Sequence, residues 1–361
     1  MEMLSKKTPL YNDHVHLSAT MVDFAGYLMP VRYKEGIIEE HLWVRNNCGI
    51  FDVSHMGQIM FTGENITSIF SKLTPTDFSK IKDGTCKYTV LLNENGGIFD
   101  DLIVTKFSHN EFYVVWNASR KYENIKHLLS HFPNAVHKVM SNRALVAIQG
   151  PKTFDVLHAI FPQIAGLGYM KGMRFSCHKY GEVIVTRTGY TGEKGVEVSV
   201  DGLHAHALWK ELMHNDFVRP IGLGARDSLR LEVGYPLYGN DLDLNTDPIS
   251  AGVSFVMTKA HDDYLGVKKI QEVMENGAQK KRVGIILQDR GVLRHGYKVF
   301  YNGSEVSDLS SGGYSPVLEK SIGMAYLPAN IKVGDKIHVE IRGKMLDALV
   351  ADFPFLTTDP R

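Results

Sequence analysis

Two adjacent acids are the residues of this chain whose types and spacing are best suited to chemistry. Asp100 and Asp101 follow Gly96-Gly97-Ile98-Phe99, so they lie among apolar residues just after a turn. Neighbouring side chains of a strand face opposite sides. One carboxyl group could therefore point into a cavity, where loss of water would raise its pKa, while the other points to solvent or caps the backbone. The alternative is a solvated pair beside a turn, and spacing alone favours that alternative.

A glycine-rich segment is the second candidate. The run from Thr188 to Glu197 contains three glycines. These residues could form only a hairpin with a charged tip. Alternatively, the glycines permit the close approach of a flat ligand, on which Tyr190 stacks while Glu197 accepts hydrogen bonds from an amino-pyrimidine edge.

An arginine near a predicted helix start is the third candidate. The run from Ile221 to Glu232 is typical of a loop that enters a helix, and it places Arg226 near the start of that helix. A guanidinium group offers a planar fork that fits a carboxylate. The alternative is a structural Arg226 that pairs with Asp227 or Glu232, and the residues alone leave both interpretations open.

Several kinds of site have no matching motif. The chain has no Gly-x-Gly-x-x-Gly after a predicted strand and no Gly-x-x-x-x-Gly-Lys-Ser/Thr, which argues against nicotinamide and nucleoside-triphosphate chemistry. Its 16 histidines include no His-Glu-x-x-His, so we expect no metal site. The three cysteines, Cys48, Cys86 and Cys177, fit neither a disulfide framework nor a Cys-x-x-Cys site.

The candidate residues lie in a sequence that mixes helix and strand patterns. A helix-face pattern covers residues 33–47, and a second helix is predicted near residues 203–214. Short β-branched and aromatic segments predict strands between them, and Asn93 to Gly97 predicts a hairpin turn. The fold class is therefore predicted to be α+β.

Length and composition predict more than one domain. A chain of 361 residues exceeds the size at which a single core stops growing. The polar stretch from Glu275 to Lys281 is the best candidate linker. Strand-like segments and turns dominate after it, so a C-terminal β domain of about 80 residues, either a barrel or a sandwich, is expected.

Charge and the N-terminus bear on partners and location. Forty basic residues balance forty acidic ones without a basic run, so a nucleic acid is not an expected partner. No apolar run approaches the ~20 residues that span a bilayer, so no membrane partner is expected either. Residues 1–8 lack the features of a secretory signal or a transit peptide, which predicts a cytoplasmic protein, bacterial rather than organellar. A mature mitochondrial form would carry the same features.

Taken in order, several runs of this chain resemble the aminomethyltransferase family, which contains the glycine cleavage T-protein and the folate-binding domains of amine-demethylating oxidases. The resemblance extends essentially from end to end. The runs that carry it are Lys7-Thr8-Pro9-Leu10-Tyr11, Phe24-Ala25-Gly26-Tyr27-Leu28-Met29-Pro30-Val31, Phe51-Asp52-Val53-Ser54-His55-Met56-Gly57, Gly96-Gly97-Ile98-Phe99-Asp100-Asp101, Ile148-Gln149-Gly150-Pro151, Gly189-Tyr190-Thr191-Gly192-Glu193 and Gly222-Leu223-Gly224-Ala225-Arg226-Asp227.

The resemblance implies an α+β fold with three domains arranged as a cloverleaf around a central folate cavity. Residues 1–275 would form the folate-binding region as two intertwined subdomains, one of them covering roughly residues 52–137. Residues 282–361 would form a small C-terminal β-barrel domain.

The resemblance also implies a reaction of glycine catabolism. An aminomethyl group carried on the reduced lipoyl arm of the H-protein would pass to tetrahydrofolate, giving 5,10-methylenetetrahydrofolate, ammonia and the dihydrolipoyl arm. Tetrahydrofolate would be the acceptor substrate and the lipoylated H-protein the partner, with no metal in this subunit.

By motif position, the resemblance assigns roles to seven residues. Asp101 matches the essential acid of the family, while Asn117 and Glu197 match positions that contact the pterin. The other matches, which line the cavity, are Tyr88, Tyr190, Tyr235 and Arg226.

The chain departs from the family pattern at two places. Tyr27 stands where Trp is common, and the C-terminal tail differs, so Arg361 receives no role.

Three other interpretations compete with this one. A folate-dependent protein of iron-sulfur assembly would carry a Lys-Gly-Cys-Tyr motif, of which Cys86-Lys87-Tyr88 is only a partial match. A demethylating oxidase would need a flavin domain as well. A folate-binding protein without catalysis would be distinguished by its lack of turnover.

Overall fold

A computed structural model describes residues 5–361, and residues 1–4, part of the stretch used to predict location, lie outside that range. Helices and strands are mixed along the described chain, which confirms the α+β fold class. The helices are α1 (Tyr11–His16), α2 (Ile37–Asn46), α3 (Ile66–Leu73), α4 (Lys121–His131), α5 (Thr153–Ile160), α6 (Gly202–Met213), α7 (Leu223–Glu232) and α8 (Val267–Asn276). The strands are β1 (Thr20–Phe24), β2 (Tyr27–Arg32), β3 (Cys48–Asp52), β4 (Gly57–Thr62), β5 (Thr85–Leu92), β6 (Ile98–Ser108), β7 (Glu111–Trp116), β8 (Val136–Val139), β9 (Arg143–Gln149), β10 (Gly172–Cys177), β11 (Gly181–Thr186), β12 (Gly195–Asp201), β13 (Val218–Pro220), β14 (Lys280–Leu287), β15 (Lys298–Tyr301), β16 (Ser304–Ser315), β17 (Lys320–Pro328), β18 (Lys336–Ile341) and β19 (Lys344–Ala351).

The predicted hairpin forms between β5 and β6. Both strands end at the Asn93–Gly97 turn, where the Asn93 side chain accepts hydrogen bonds from the backbone N–H groups of Asn95 and Gly97. Gly96 has a φ of 73°, a left-handed conformation that glycine adopts without steric cost. The turn thus places the residues that follow Gly97, including the two acids, at the start of a long strand.

The two predicted helices form as α2 and α6, but α2 begins later than the pattern indicates. Gly36, with a φ of 85°, precedes its first residue, so the chain at residues 33–36 is not helical. At α6, the Asp201 side chain accepts a hydrogen bond from the N–H of Leu203 and so caps the helix start.

Three sheet systems form the body of the fold. A five-stranded sheet has the order β5-β6-β7-β4-β8, and its core packs under α3 and α4. A six-stranded sheet has the order β10-β11-β12-β9-β3-β13 and packs against α5 and α6. The third is a closed barrel, β14-β17-β16-β15-β18-β19, so the C-terminal β domain is a barrel rather than a sandwich.

Helix α7 lies where the three systems meet. Its residues Ala225 and Leu229 join a buried cluster that also contains Phe51 of β3 and Tyr113 of β7, from the two open sheets. Its last residue, Glu232, accepts a hydrogen bond from the Ser315 hydroxyl at the end of β16 in the barrel. Side chains of this helix therefore contact all three sheet systems.

The predicted linker is too long. Helix α8 continues to Asn276 and β14 begins at Lys280, so only residues 277–279 connect them. The polar residues at the two ends of this stretch belong to the exposed C-terminal end of α8 and to the exposed start of β14. Within residues 5–361, no helix is long and apolar enough to cross a membrane.

Candidate functional site

The two acids of the β5–β6 hairpin face opposite sides of the sheet, as the strand pattern predicts. Asp100 is fully buried, whereas Asp101 is partly exposed. Asp100 points into the protein interior toward α4, so the expectation that this acid could face solvent is wrong, whereas its Oδ2 does accept a hydrogen bond from the backbone N–H of Asn117 at 3.4 Å. The alternative of a solvated pair is wrong as well.

A single asparagine joins the two carboxyl groups. Asn117 directly follows β7, the neighbour of β6, and its Nδ2 donates to Oδ1 of Asp100 at 2.8 Å and to Oδ1 of Asp101 at 2.6 Å. The amide of Asn124 on α4 donates to the other oxygen of Asp100. Amide donors therefore hold both oxygens of Asp100, which fixes this carboxyl group in position.

The other oxygen of Asp101 has a tyrosine partner. The Tyr88 hydroxyl, on the neighbouring strand β5, donates to Oδ2 of Asp101 at 3.0 Å. Burial raises the pKa of Tyr88 well above its ordinary value, with a further contribution from the Asp101 charge. Tyr88 therefore keeps its proton and remains a donor at neutral pH.

Both acids hold protons more tightly than exposed carboxyl groups. Burial raises the pKa of Asp100 to about 7, and the neighbouring Asp101 charge adds to the increase. Burial raises the pKa of Asp101 to about 6, against the hydrogen bonds from Asn117 and Tyr88 that stabilise its charged form. A carboxyl group with such a pKa can exchange a proton near neutral pH.

Two tyrosines and an arginine form a second group of candidate residues. The rings of Tyr190 and Tyr235 stack with centroids 6.0 Å apart and planes inclined by 29°. The Tyr190 hydroxyl donates to the carbonyl of Pro236, which fixes one ring against the loop that carries the other. The Arg226 guanidinium lies over the Tyr190 ring, with Cζ 4.9 Å from the centroid.

Arg226 lacks the ion pairs that its neighbours offered as an alternative. Asp227 pairs with Arg230, and Glu232 pairs with Arg45 and His41. The Nη1 atom of Arg226 is buried and has no hydrogen-bond partner among residues 5–361. An unpaired buried donor costs free energy, so this group is suited to a ligand that brings an acceptor.

Glu197 supplies the opposite charge near Arg226. It lies within β12, is almost fully buried, and accepts a hydrogen bond from the Thr188 hydroxyl at its Oε2, at 2.6 Å. Burial lowers the pKa of Arg226, and the Glu197 charge opposes that decrease. The carboxylate is therefore close enough for its charge to act on the guanidinium, although the two groups form no direct ion pair.

The glycines in the run from Thr188 to Glu197 leave space for side chains of the protein itself. A Cβ on Gly189 would lie 1.9 Å from Oε1 of Gln149, and one on Gly192 would lie 2.4 Å from Cγ1 of Val233. Protein side chains occupy the space that these glycines leave. The prediction that the glycines admit a flat ligand is therefore wrong at Gly189 and Gly192.

The structure brings the seven residues assigned from motifs into two contacting groups. Asp101, Tyr88 and Asn117 form one, and Tyr190, Tyr235 and Arg226 form the other, with Glu197 beside Arg226. The two groups lie near each other, since the Asp101 charge adds to the burial that raises the pKa of Tyr190. No group of three or more His, Cys, Asp or Glu side chains within residues 5–361 is placed to hold a metal.

An ionic cluster next to the second group has no counterpart among the predicted residues. Arg230 donates to Asp241 through Nη1 at 2.8 Å and to the carbonyl of Tyr235 at 3.1 Å, while Ser311 of the barrel contacts both charges. This ionic cluster holds the loop that carries Tyr235 between α7 and the barrel. The only local signal is the spacing of Asp227 and Arg230 on one helix face, because Asp241 and Ser311 belong to no motif.

Comparisons with known proteins cover nearly the whole chain. The "GCVT N-terminal domain" family matches residues 10–261, and the "Glycine cleavage T-protein C-terminal barrel domain" family matches residues 280–356. An aminomethyltransferase of Thermotoga neapolitana is 41% identical over 357 residues, covering 97% of each chain. One of Chlorobaculum parvum is 40% identical, covering 98% of this chain and 99% of the relative. The crystal structure of the glycine cleavage system aminomethyltransferase T from Bartonella henselae superposes with a TM-score of 0.92 at 34% identity, covering 98% of this chain and 99% of that one.

Proposed function

The chain belongs to the glycine cleavage T-protein family of aminomethyltransferases, and on that premise we propose that Asp101 is the centre of its reaction. The reaction moves the aminomethyl group of the aminomethylated dihydrolipoyl H-protein to tetrahydrofolate, giving 5,10-methylenetetrahydrofolate, ammonia and dihydrolipoyl H-protein. The observation that carries this assignment is the carboxyl group of Asp101, held at both oxygens by Asn117 and Tyr88 and close enough to Tyr190 for its charge to contribute to the raised pKa of that phenol.

The second group of residues fits a folate. A pterin has a flat ring with an amino-pyrimidine edge that donates hydrogen bonds, which suits a buried carboxylate such as Glu197. The Tyr190 and Tyr235 rings offer area for stacking. The buried Nη1 of Arg226, without a partner within residues 5–361, would receive an acceptor from the ligand.

Asp101 would act through a fixed carboxyl group. With a pKa raised to about 6, most molecules carry the charged form at neutral pH, which can accept a proton or stabilise positive charge that develops in the cavity. Asn117 and Tyr88 fix its two oxygens in advance, so little reorganisation is needed. A bound pterin would cover the partly exposed Asp101 and displace water, which would strengthen these electrostatic contacts.

Three further proposals accompany this function. The lipoylated H-protein is the partner that presents the aminomethyl group, and tetrahydrofolate is the acceptor substrate, with no metal in this chain. The division into a folate-binding region of residues 1–275 and a barrel of residues 282–361 describes its domains. The cytoplasm is the proposed location.

The test is the formation of methylenetetrahydrofolate from tetrahydrofolate and aminomethylated H-protein by the wild type and by Asp101→Asn. We expect Asp101→Asn to keep its fold, shown by an unchanged circular dichroism spectrum, and to lose at least ~100-fold in kcat/KM. The matched control is Asp155→Asn, which changes an exposed acid on α5 and should keep full activity.

The same experiment separates an enzyme from a folate-binding protein without catalysis. Tetrahydrofolate binding without any turnover by the wild type would establish the latter. Near-normal turnover by a folded Asp101→Asn variant would remove Asp101 from the mechanism while leaving the reaction in place.

A further inference from the structure

An exposed phenylalanine lies directly outside the Asp101 site. Phe255 belongs to the short 3₁₀ turn Ser254–Val256, and 74% of its surface is exposed. Its ring stacks on that of Tyr88, with centroids 5.9 Å apart and planes inclined by 28°. Tyr88 covers one face of the Phe255 ring, so the other face is available to a second apolar group.

The chain around Phe255 is firmly held. Val253 and Val256 are buried, whereas the two residues between them, Ser254 and Phe255, are exposed. The Thr76 hydroxyl donates to the carbonyl of Val256 at 2.8 Å, and the N–H of Thr258 donates to the carbonyl of Pro75 at 2.9 Å. An aromatic ring fixed in an exposed position costs little side-chain entropy when it binds a partner.

Phe255 is continuous with the reacting centre. Its ring contacts Tyr88, whose hydroxyl donates to Asp101 at 3.0 Å, so these three side chains lead from the surface to the carboxyl group. The charged groups Glu197 and Arg226 belong to the second group of site residues, and they suit the polar edge of a folate. The aromatic side instead suits an apolar chain.

We propose that Phe255 is a specificity-determining contact for the lipoyl-lysine arm of the carrier protein. This inference rests on the proposed function, in which two substrates must meet at Asp101. The aliphatic part of the arm lies along the free face of the Phe255 ring, and its sulfur-bearing end passes Tyr88 to reach Asp101. Phe255 binds the arm equally in the ground state and in the transition state, because it does not touch the reacting atoms.

The test measures turnover of the full chain while the concentration of aminomethylated H-protein is varied. We expect Phe255→Ala to raise KM for the carrier about fivefold to tenfold and to leave kcat within about twofold, as for loss of uniform binding. Phe255→Leu keeps apolar area and should recover part of the effect. The matched control is Leu203→Ala on α6, an exposed apolar residue at 89% exposure that should leave both constants unchanged.

A second substrate distinguishes the arm from the body of the carrier. With aminomethylated dihydrolipoamide in place of H-protein, Phe255→Ala should still raise KM if the ring contacts the arm. An unchanged KM for dihydrolipoamide, an unchanged KM for H-protein, or a weakened affinity for tetrahydrofolate would each overturn the inference. Absence of turnover by the wild type would instead contradict the proposed function itself.

Discussion

Two charged regions meet at α7, and they differ in how far the protein itself pairs their charged side chains. In the closed cluster, formed by Arg230, Asp241 and Ser311, each charged side chain has several partners. In the open pocket, formed by Asp101, Glu197, Arg226 and Tyr190, the guanidinium has no ion pair within residues 5–361 and the pKa values of the acid and the phenol are raised. Charges that the protein pairs with opposite charges hold the fold together, whereas charges without an ion pair are available to a ligand.

Only one helical turn separates the two arginines that represent these regions. Both Arg226 and Arg230 lie on α7, yet the first contacts an aromatic ring and the second contacts two carboxylates and one backbone carbonyl. The difference arises from what the rest of the chain places beside them. Variants of the two regions should therefore separate stability from binding.

The largest expected effect comes from opening the closed cluster with Asp241→Ala. This change leaves the Arg230 guanidinium without its buried carboxylate, and it removes one hydrogen-bond acceptor from each of Ser310 and Ser311. Removal of one partner from a buried ion pair costs about 3–5 kcal/mol in the free energy of unfolding. Urea denaturation followed by fluorescence measures this loss.

The matched control removes the exposed partner of the same arginine. The Asp227 side chain is 53% exposed, so Asp227→Asn should change the free energy of unfolding by less than about 1 kcal/mol. Equal losses for the two variants would show that the cluster is not closed in solution, and that solvent reaches Arg230.

A smaller and different effect is expected for Arg226→Met in the open pocket. Met retains most of the apolar stem but removes a buried charge that lacks an ion pair, so the free energy of unfolding should stay within about 1 kcal/mol of the wild type. The affinity for tetrahydrofolate should fall about 10- to 100-fold, because a charge-assisted hydrogen bond is lost. Isothermal calorimetry measures the affinity, with the exposed Arg294→Met as control.

This prediction fails in either of two ways. A variant that loses more than about 2 kcal/mol of stability but still binds folate normally would place Arg226 with Arg230 among the structural charges. A stable variant with unchanged affinity would show that the folate does not contact the guanidinium.

Local sequence signals predicted the elements that carry the site. The Asn93–Gly97 turn, the strand after it and helix α7 depend on residues close together in the chain, so periodicity and turn chemistry suffice to place them. The opposite orientation of Asp100 and Asp101 follows from the pleat of one strand. These signals do not report what each side chain meets across the fold.

The partners of the charges could not be predicted, because they come from distant parts of the chain. Arg45 reaches Glu232 across 187 positions, and Ser311 reaches Arg230 across 81. The burial of Asp100 depends on Asn124 of α4, and the glycine requirement at Gly189 depends on Gln149 of another strand. Such pairings are decided by packing, so spacing alone favoured the wrong environment for Asp100.

The smallest expected effect is a pH dependence of stability that arises in the open pocket. The folded state raises the pKa of Asp101 to about 6, whereas an unfolded chain has a value near ~4. Between these values the folded state binds more protons than the unfolded state, so stability falls as pH rises through this window. Relative to Asp101→Asn, the wild type should lose about 2 kcal/mol in the free energy of unfolding between about pH 4 and pH 7.

Urea denaturation of both proteins at several pH values measures this difference. The sign is decisive, because a carboxyl group stabilised by an ion pair would have a lowered pKa and would make the wild type relatively more stable as pH rises. A difference that grows in favour of the wild type would therefore show that the hydrogen bonds to Asp101 outweigh its burial. A constant difference would mean that solvent reaches Asp101 freely, and that the open pocket lacks the desolvation on which its chemistry depends.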